Sequence, residues 1–167
     1  MSNEVRLRPV HDDDLSAFFA HEQDPQASWM AAFVAKDPAD RAAFDAHWAR
    51  IRADERIVNR TVTVDGEVVG RVAAFPVGDR TEVSYWIDSA RWGRGHATAA
   101  LAALLRELPQ RPVYARAAKD NAASLAVLRK CGFVVVGEDS GYAAARHAEI
   151  EEYLLELPAG AADQRGD

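Results

Sequence analysis

Glu82-Val83-Ser84-Tyr85-Trp86-Ile87, then Trp92-Gly93-Arg94-Gly95-His96, then Ala97-Thr98-Ala99-Ala100-Leu101-Ala102-Ala103-Leu104-Leu105 is the stretch that decides how this chain folds. A strand-like run passes through a Gly-x-Gly turn directly into an alanine- and leucine-rich helix. Such a junction gathers several unpaired backbone N–H groups at one point, and the helix N-terminus adds roughly half a positive charge there. An anion, most often a phosphate or pyrophosphate, is the usual occupant of such a place. Glycines at 93 and 95 carry no Cβ that would hold an anion away; the same turn can equally be no more than a tight connection. Two familiar phosphate loops do not fit. No Gly-x-x-x-x-Gly-Lys-Ser/Thr string follows Gly93. A dinucleotide fingerprint needs a third small residue where Thr98 stands, and repeated βαβ units around it.

Upstream of the turn, the period of the apolar residues changes along the chain. Val5-Arg6-Leu7-Arg8 alternates and ends at Pro9, a short strand. Asp12-Asp13-Asp14 offer an N-cap and an acidic first turn to a helix carrying Leu15, Phe18 and Phe19. A second helical region surrounds Trp29, Met30 and Phe33 and breaks near Asp37-Pro38; from Asp40 to about Asp54, Phe44, Trp48 and Ile51 make one helical stripe. Then Thr61-Val62-Thr63-Val64, the turn Asp65-Gly66 and Val68-Val69-Gly70-Arg71-Val72 read as a hairpin. A turn at Gly78-Asp79 leads to Glu82–Ile87 as the third consecutive strand, completing an antiparallel meander.

Downstream, the helix ends near Pro109, and Pro112-Val113-Tyr114-Ala115-Arg116-Ala117 is a strand. Strand, glycine loop, helix and strand make one βαβ unit, for which a right-handed crossover is expected. Asn121 to Lys130 is a further helix, stopped by Gly132 in the manner of a left-handed C-cap. Phe133-Val134-Val135-Val136 and Ile150 to Leu157 supply the last strands. The whole reads as a mixed α+β domain over 1–158: a central mixed sheet built from an N-terminal meander and one βαβ unit, with helices on both faces. The small, polar segment 159–167 reads as a flexible tail.

The chain has 167 residues, 49% apolar and 28% charged, which suits one domain with a sizeable core. Its one cysteine, Cys131, leaves no intramolecular disulfide or multi-cysteine zinc site, and a cytoplasmic location is expected. No apolar run approaches the roughly 20 residues of a membrane span, and Met1 to Pro9 lacks the apolar core of a secretory signal. A net charge of −6 argues against nucleic acid as the main partner. It mildly favours cationic acceptors and equally suits plain solubility.

The string Trp92-Gly93-Arg94-Gly95-His96-Ala97-Thr98, preceded by Tyr85-Trp86-Ile87, resembles the pyrophosphate-binding segment of the GNAT superfamily of N-acetyltransferases. Asn121-Ala122-Ala123-Ser124 through Lys130-Cys131-Gly132-Phe133 is similar to the Asn-x-x-Ser…Lys-x-Gly-Phe signature of its RimJ/RimL-like branch. The two blocks stand in the right order and at the right distance, and with the order of strands and helices the likeness covers about Val5 to Leu157. Two positions depart from the wider superfamily. Trp92 replaces the usual Gln or Arg, as is common in this branch, and Leu128 stands where many members carry a tyrosine general acid. The tyrosine-acid mechanism therefore does not carry over.

The resemblance implies acetyl-coenzyme A as cosubstrate, no metal, and an amine acceptor that is a peptide N-terminus or a small molecule, on a monomer or homodimer. It assigns the pyrophosphate to the backbone from Gly93 to Thr98, and the pantetheine arm to the backbone near Trp86 and Ile87, between two parallel strands that splay. Trp92, Arg94, His96, Ala97 and Lys130 fall inside the two motifs and are expected beside the cofactor, with Arg94 readable also as a solvated arginine. Asn121 is either a contact to the cofactor arm or a plain N-cap, and Ser124 is placed to donate a hydrogen bond to the departing sulfur. Glu82 is the first candidate for the general base, direct or through water, with an exposed strand glutamate as the plainer reading. Tyr142, a further candidate catalytic group, lies with His147 and Glu149 in the connection before the last strand, where an acceptor pocket could border. Cys131 reads as a small buried residue rather than a nucleophile. The implied reaction is direct transfer of acetyl to an amine in a ternary complex, with a protein N-terminal α-amine among the acceptors. The alternatives are a small-molecule amine acetyltransferase of antibiotic or polyamine type, or a non-catalytic acyl-CoA-binding module.

Overall fold

A computed structural model describes residues 4–159; the expected tail beyond Ala159 lies outside them. The elements run β1 (Val5–Pro9), α1 (Asp14–Glu22), α2 (Pro25–Ala31), α3 (Arg41–Ala53), β2 (Val58–Val64), β3 (Glu67–Val77), β4 (Arg80–Ile87), α4 (His96–Glu107), β5 (Val113–Ala118), α5 (Ala122–Lys130), β6 (Val134–Ala143) and β7 (Ala148–Leu157). The strands form one seven-stranded sheet in the order β1-β2-β3-β4-β5-β7-β6. β1 to β4 are an antiparallel meander, β4 and β5 are parallel across the α4 crossover, and β7 lies antiparallel between β5 and β6.

Local chemistry accounts for most boundaries. Asp65 and Gly66, both at positive φ (53° and 82°), close the β2–β3 hairpin. Asp40 caps α3 by accepting from the Ala43 N–H at 3.0 Å. Gly132, at φ 99°, ends α5: its N–H donates to the Arg129 carbonyl, and that of Phe133 donates to the Leu128 carbonyl. Those two bonds are the paired 5→2 and 6→1 closure that a left-handed residue permits.

Three readings of the sequence need correction. The aspartate triplet does not cap α1 as expected, because Asp13 makes no side-chain cap bond. Asp14 instead turns inward and accepts from Arg8 (2.7 and 2.9 Å), the His11 N–H (2.8 Å) and the Thr61 hydroxyl (2.7 Å). A buried carboxylate needs that full set of donors. Helix α2 stops at Ala31, so Phe33 lies beyond it. The last two strands are also longer than apolar content predicts, and only residues 144–147 connect them. Tyr142 and Glu149 are therefore cross-strand partners in a hairpin rather than parts of a loop. Polar, solvent-facing strand residues carry no apolar period to mark them.

Helices α4 and α5 cover one face, where Leu101, Leu104, Leu125 and Leu128 join Val72, Val83, Val113 and Leu155 in the main core. Each such side chain contributes roughly 1.5–3 kcal/mol by leaving water. On the opposite face, Phe18 of α1 packs with Phe44 and Trp48 of α3. Among the described residues no helix is long and apolar enough to cross a membrane.

Candidate functional site

The site lies where β4 and β5 separate. β3 and β4 pair along their length, from Gly70–Ile87 to Val77–Arg80. β4 and β5 are in ladder register at one pair only, Glu82 with Tyr114. Beyond that pair the strands diverge, leaving backbone groups of β4 without a neighbour on that side, an edge that an amide-bearing chain could complete. Close packing holds the other edge: a Cβ on Gly70 would stand 2.2 Å from the Trp86 carbonyl oxygen.

At the open end, a 3₁₀ turn at Ser89–Arg91 and the glycine turn carry β4 into α4. Gly93 and Gly95 have φ of 78° and 79°, and a Cβ at either would meet nothing within 4 Å. Gly95 is the N-cap of α4 and, having no side chain, bonds none of the first-turn N–H groups. Helices α2, α3 and α5 each have a capping side chain, from Asp24, Asp40 and Asn121. The first turn of α4 thus presents N–H groups without a capping side chain, and the positive end of its dipole, beside the exposed turn 92–95.

Around this turn the predicted side chains take different roles. Trp92 folds back, its indole Nε1–H donating to the Ile87 carbonyl at 2.9 Å, which pins the turn and engages that carbonyl internally. Arg94 is exposed. His96 is buried, and burial, aided by the Arg94 and Arg91 charges, lowers its pKa; its contribution is an N–H rather than a cation. Cys131 is buried, and its Sγ reaches the Thr98 carbonyl at 3.7 Å, setting the end of α5 beside the first turn of α4. Lys130, the last residue of α5, is exposed.

At the other end of α5, Asn121 accepts from the Ser124 N–H at 3.1 Å and donates to the Met30 carbonyl at 3.1 Å. It is an N-cap that also ties α5 to α2, and any further contact must use its remaining hydrogen or lone pair. Ser124 Oγ lies 2.6 Å from the Tyr85 hydroxyl, a partner that sequence reading missed. Strand alternation places Tyr85 on the α4/α5 face; nothing local says that it meets α5. Leu128 is 1% exposed and belongs to the core, so a tyrosine there would have no room.

Glu82, three residues before Tyr85, projects to the opposite face. It is 5% exposed and pairs with Arg116 Nε at 3.3 Å, and Arg116 also binds Asp139 and Glu152. Arg116 is the second residue that sequence reading did not single out. On the same face Arg71 pairs with Glu22 at 2.9 Å among the rings of Phe18, Trp48 and Trp86. Among the described residues Arg71 Nη1, Trp86 Nε1 and His21 Nδ1 are buried without hydrogen-bond partners. Tyr142 is 62% exposed and lies eight residues along β6 from Val134, the position level with Glu82 across the sheet. Its hairpin is tied to the end of α2 by Arg146, which donates to the Trp29 carbonyl, and borders an open cleft of about 530 Å³ lined by Lys119, Asp120, Glu149 and Glu151. Among the described residues no group of three or more His, Cys, Asp or Glu is placed to hold a metal.

Comparison with known proteins fits this geometry. Residues 4–134 match the family model described as an acetyltransferase (GNAT) domain. No curated relative matches the sequence significantly. Among solved structures, RimJ of Mycobacterium smegmatis in complex with CoA-disulfide is 25% identical, covers 98% of this chain and 84% of its own, and superposes with a TM-score of 0.79. RimL, a ribosomal L7/L12 α-N-protein acetyltransferase in complex with coenzyme A, is 17% identical, with 96% and 97% covered and a TM-score of 0.80. Spermidine N-acetyltransferase from Vibrio cholerae with CoA and spermine is 15% identical, with 96% and 98% covered and a TM-score of 0.78.

Proposed function

The chain belongs to the GNAT family of acetyltransferases, and we propose that it transfers acetyl from acetyl-CoA to a protein N-terminal α-amine by direct attack in a ternary complex. The observation that carries this reading is the uncapped N-terminus of α4 beside the divergence of β4 and β5. The first-turn N–H groups suit the pyrophosphate, exposed Arg94 in the same turn and Lys130 at the end of α5 are the cations assigned to it, and the open edge of β4 suits the pantetheine amides. Acetyl-CoA supplies a thioester carbonyl activated towards attack; the protein supplies position and polarity.

The two faces of the sheet divide the work. Glu82 stands where the strands begin to part, on the face opposite Tyr85 and Ser124. An amine arriving on the Glu82 face gives up its proton there, directly or through water, while sulfur departs towards the Ser124 hydroxyl. Arg116 fixes the direction of the glutamate. The α-amine is the favoured acceptor on two grounds. At pH 7 such a group is neutral about one time in seven, whereas a lysine side chain is neutral about once in 2,500. The fold is also shared with RimL, described as a ribosomal L7/L12 α-N-protein acetyltransferase.

Calorimetry tests the cofactor half: the wild type should bind CoA and Gly95→Trp should not, and no wild-type binding at millimolar CoA overturns it. Thiol release with a panel of N-terminal peptides, spermidine and aminoglycosides tests the acceptor. Turnover with the small amines alone would transfer the assignment to a small-molecule acetyltransferase.

A further inference from the structure

We propose that Tyr85 is a positioning residue for acetyl transfer, donating its phenol hydrogen to Ser124 so that the serine hydrogen is held for the departing sulfur. The inference rests on the reading of Ser124 as thiolate donor and adds a residue that neither motif includes in that role.

The contact joins two elements across the gap that the cofactor arm would enter. Tyr85 comes from β4, past the last pairing with β5, and Ser124 from the first turn of α5. Asn121 already fixes the Ser124 N–H, so the serine retains only its side-chain rotation. A hydroxyl has one hydrogen and two acceptor lone pairs. Within a helix it readily turns that hydrogen back onto a preceding carbonyl, which would leave none for a ligand. A phenol pressing on Oγ from the strand side opposes that rotation.

The surroundings of the bond favour one direction. The Tyr85 hydroxyl lies 2.6 Å from Ser124 Oγ and 3.4 Å from the Ser124 carbonyl oxygen. Either hydroxyl can donate in the 2.6 Å contact; tyrosine is taken as the donor because the neighbouring carbonyl, which can only accept, draws the phenol hydrogen towards this pair of oxygens. Receiving that bond also polarises the serine O–H and strengthens what it can give in turn. Burial pushes the Tyr85 pKa up to about 12, so the phenol keeps its proton. Compared with a thiol near 8.5, proton transfer from this tyrosine to a thiolate is uphill by roughly three powers of ten. Tyr85 is therefore a donor of a hydrogen bond and not the acid. In the step it supports, the N–C bond forms, the C–S bond breaks with its electron pair going to sulfur, and the amine proton leaves on the Glu82 side. Ser124 and Tyr85 end with the protons they began with. A strand tyrosine thus serves this site, while the helix position used by other family members is filled by a core leucine.

Steady-state thiol release by Tyr85→Phe, Ser124→Ala and the double variant tests this. Phenylalanine keeps the ring in the core and removes only the hydroxyl. Tyr85→Phe should lower kcat about tenfold, the range of one lost hydrogen bond, with KM for acetyl-CoA and Tm nearly unchanged. In the Ser124→Ala background the same change should alter kcat less than twofold. Wild-type kcat in Tyr85→Phe, or losses that multiply in the double variant, overturns the inference. A fall in Tm with raised KM and unaltered kcat marks a packing role and overturns it too. If the wild type releases no thiol with any acceptor, the proposed function fails first, and the two failures are told apart.

Discussion

Replacing Gly95 by alanine separates backbone strain from ligand exclusion, because Gly66 provides a control within the same chain. Both glycines hold a left-handed conformation, φ 79° at Gly95 and 82° at Gly66, and a Cβ added to either meets nothing within 4 Å. The strain of an alanine is then the same at both places, about 1–2 kcal/mol for an L-residue in that region. For a domain of this size each kcal/mol is worth about 2–4 °C, so both variants should melt roughly 2–8 °C below the wild type. Only their locations differ. Gly66 closes the turn between β2 and β3, whereas Gly95 caps α4, where the unpaired N–H groups converge. A methyl group there that costs one charge-assisted hydrogen bond removes about 1.5–3 kcal/mol of binding, or about 10- to 150-fold in Kd. Thermal denaturation should show equal losses of Tm, and calorimetry with CoA should show weakened binding in Gly95→Ala alone. Equal weakening by Gly66→Ala, or wild-type affinity in Gly95→Ala, refutes the assignment of the anion to this turn.

Gly70→Ala places a methyl group 2.2 Å from the Trp86 carbonyl; β3 and β4 must move apart, which should lower stability by about 1–3 kcal/mol or more and weaken CoA binding, both readable from denaturant melts with and without ligand. Burial pushes the Asp14 carboxyl up, but Arg8, the His11 N–H and the Thr61 hydroxyl outweigh it and bring the pKa down to about 2. That depressed value stabilises the fold above the unfolded pKa near 3.8 and the contribution disappears as pH falls towards 2, a loss of about 2 kcal/mol. Asp14→Asn should be less stable at neutral pH and lack this part of the acid limb; parallel stability curves for the two proteins would refute it.

Much of the fold was legible because its signals are local. The hairpin at Asp65-Gly66, the glycine stop after α5 and the α3 stripe each depend on residues within one or two turns of one another, and each appears as the sequence predicts. The ends of β6 and β7 were not legible, since Glu138, Asp139 and Glu149 carry no apolar alternation and are ordered by pairing alone. Asp14 misled for a related reason. An aspartate before an apolar helix has the chemistry of a cap, and only the arrival of Arg8 and Thr61 from neighbouring strands turns it inward.

The candidate site divides along the same line. Order of elements, the glycine turn and its bare helix end were set by the chain itself, because backbone conformation at Gly93 and Gly95 is a property of residues adjacent in sequence. The packed structure alone decided that β4 and β5 part after Glu82 and Tyr114, that Arg116 holds Glu82, and that Tyr85 meets Ser124 39 residues further on. These contacts join side chains whose spacing in sequence carries no period, so nothing short of the assembled sheet and its two helix layers could bring them together.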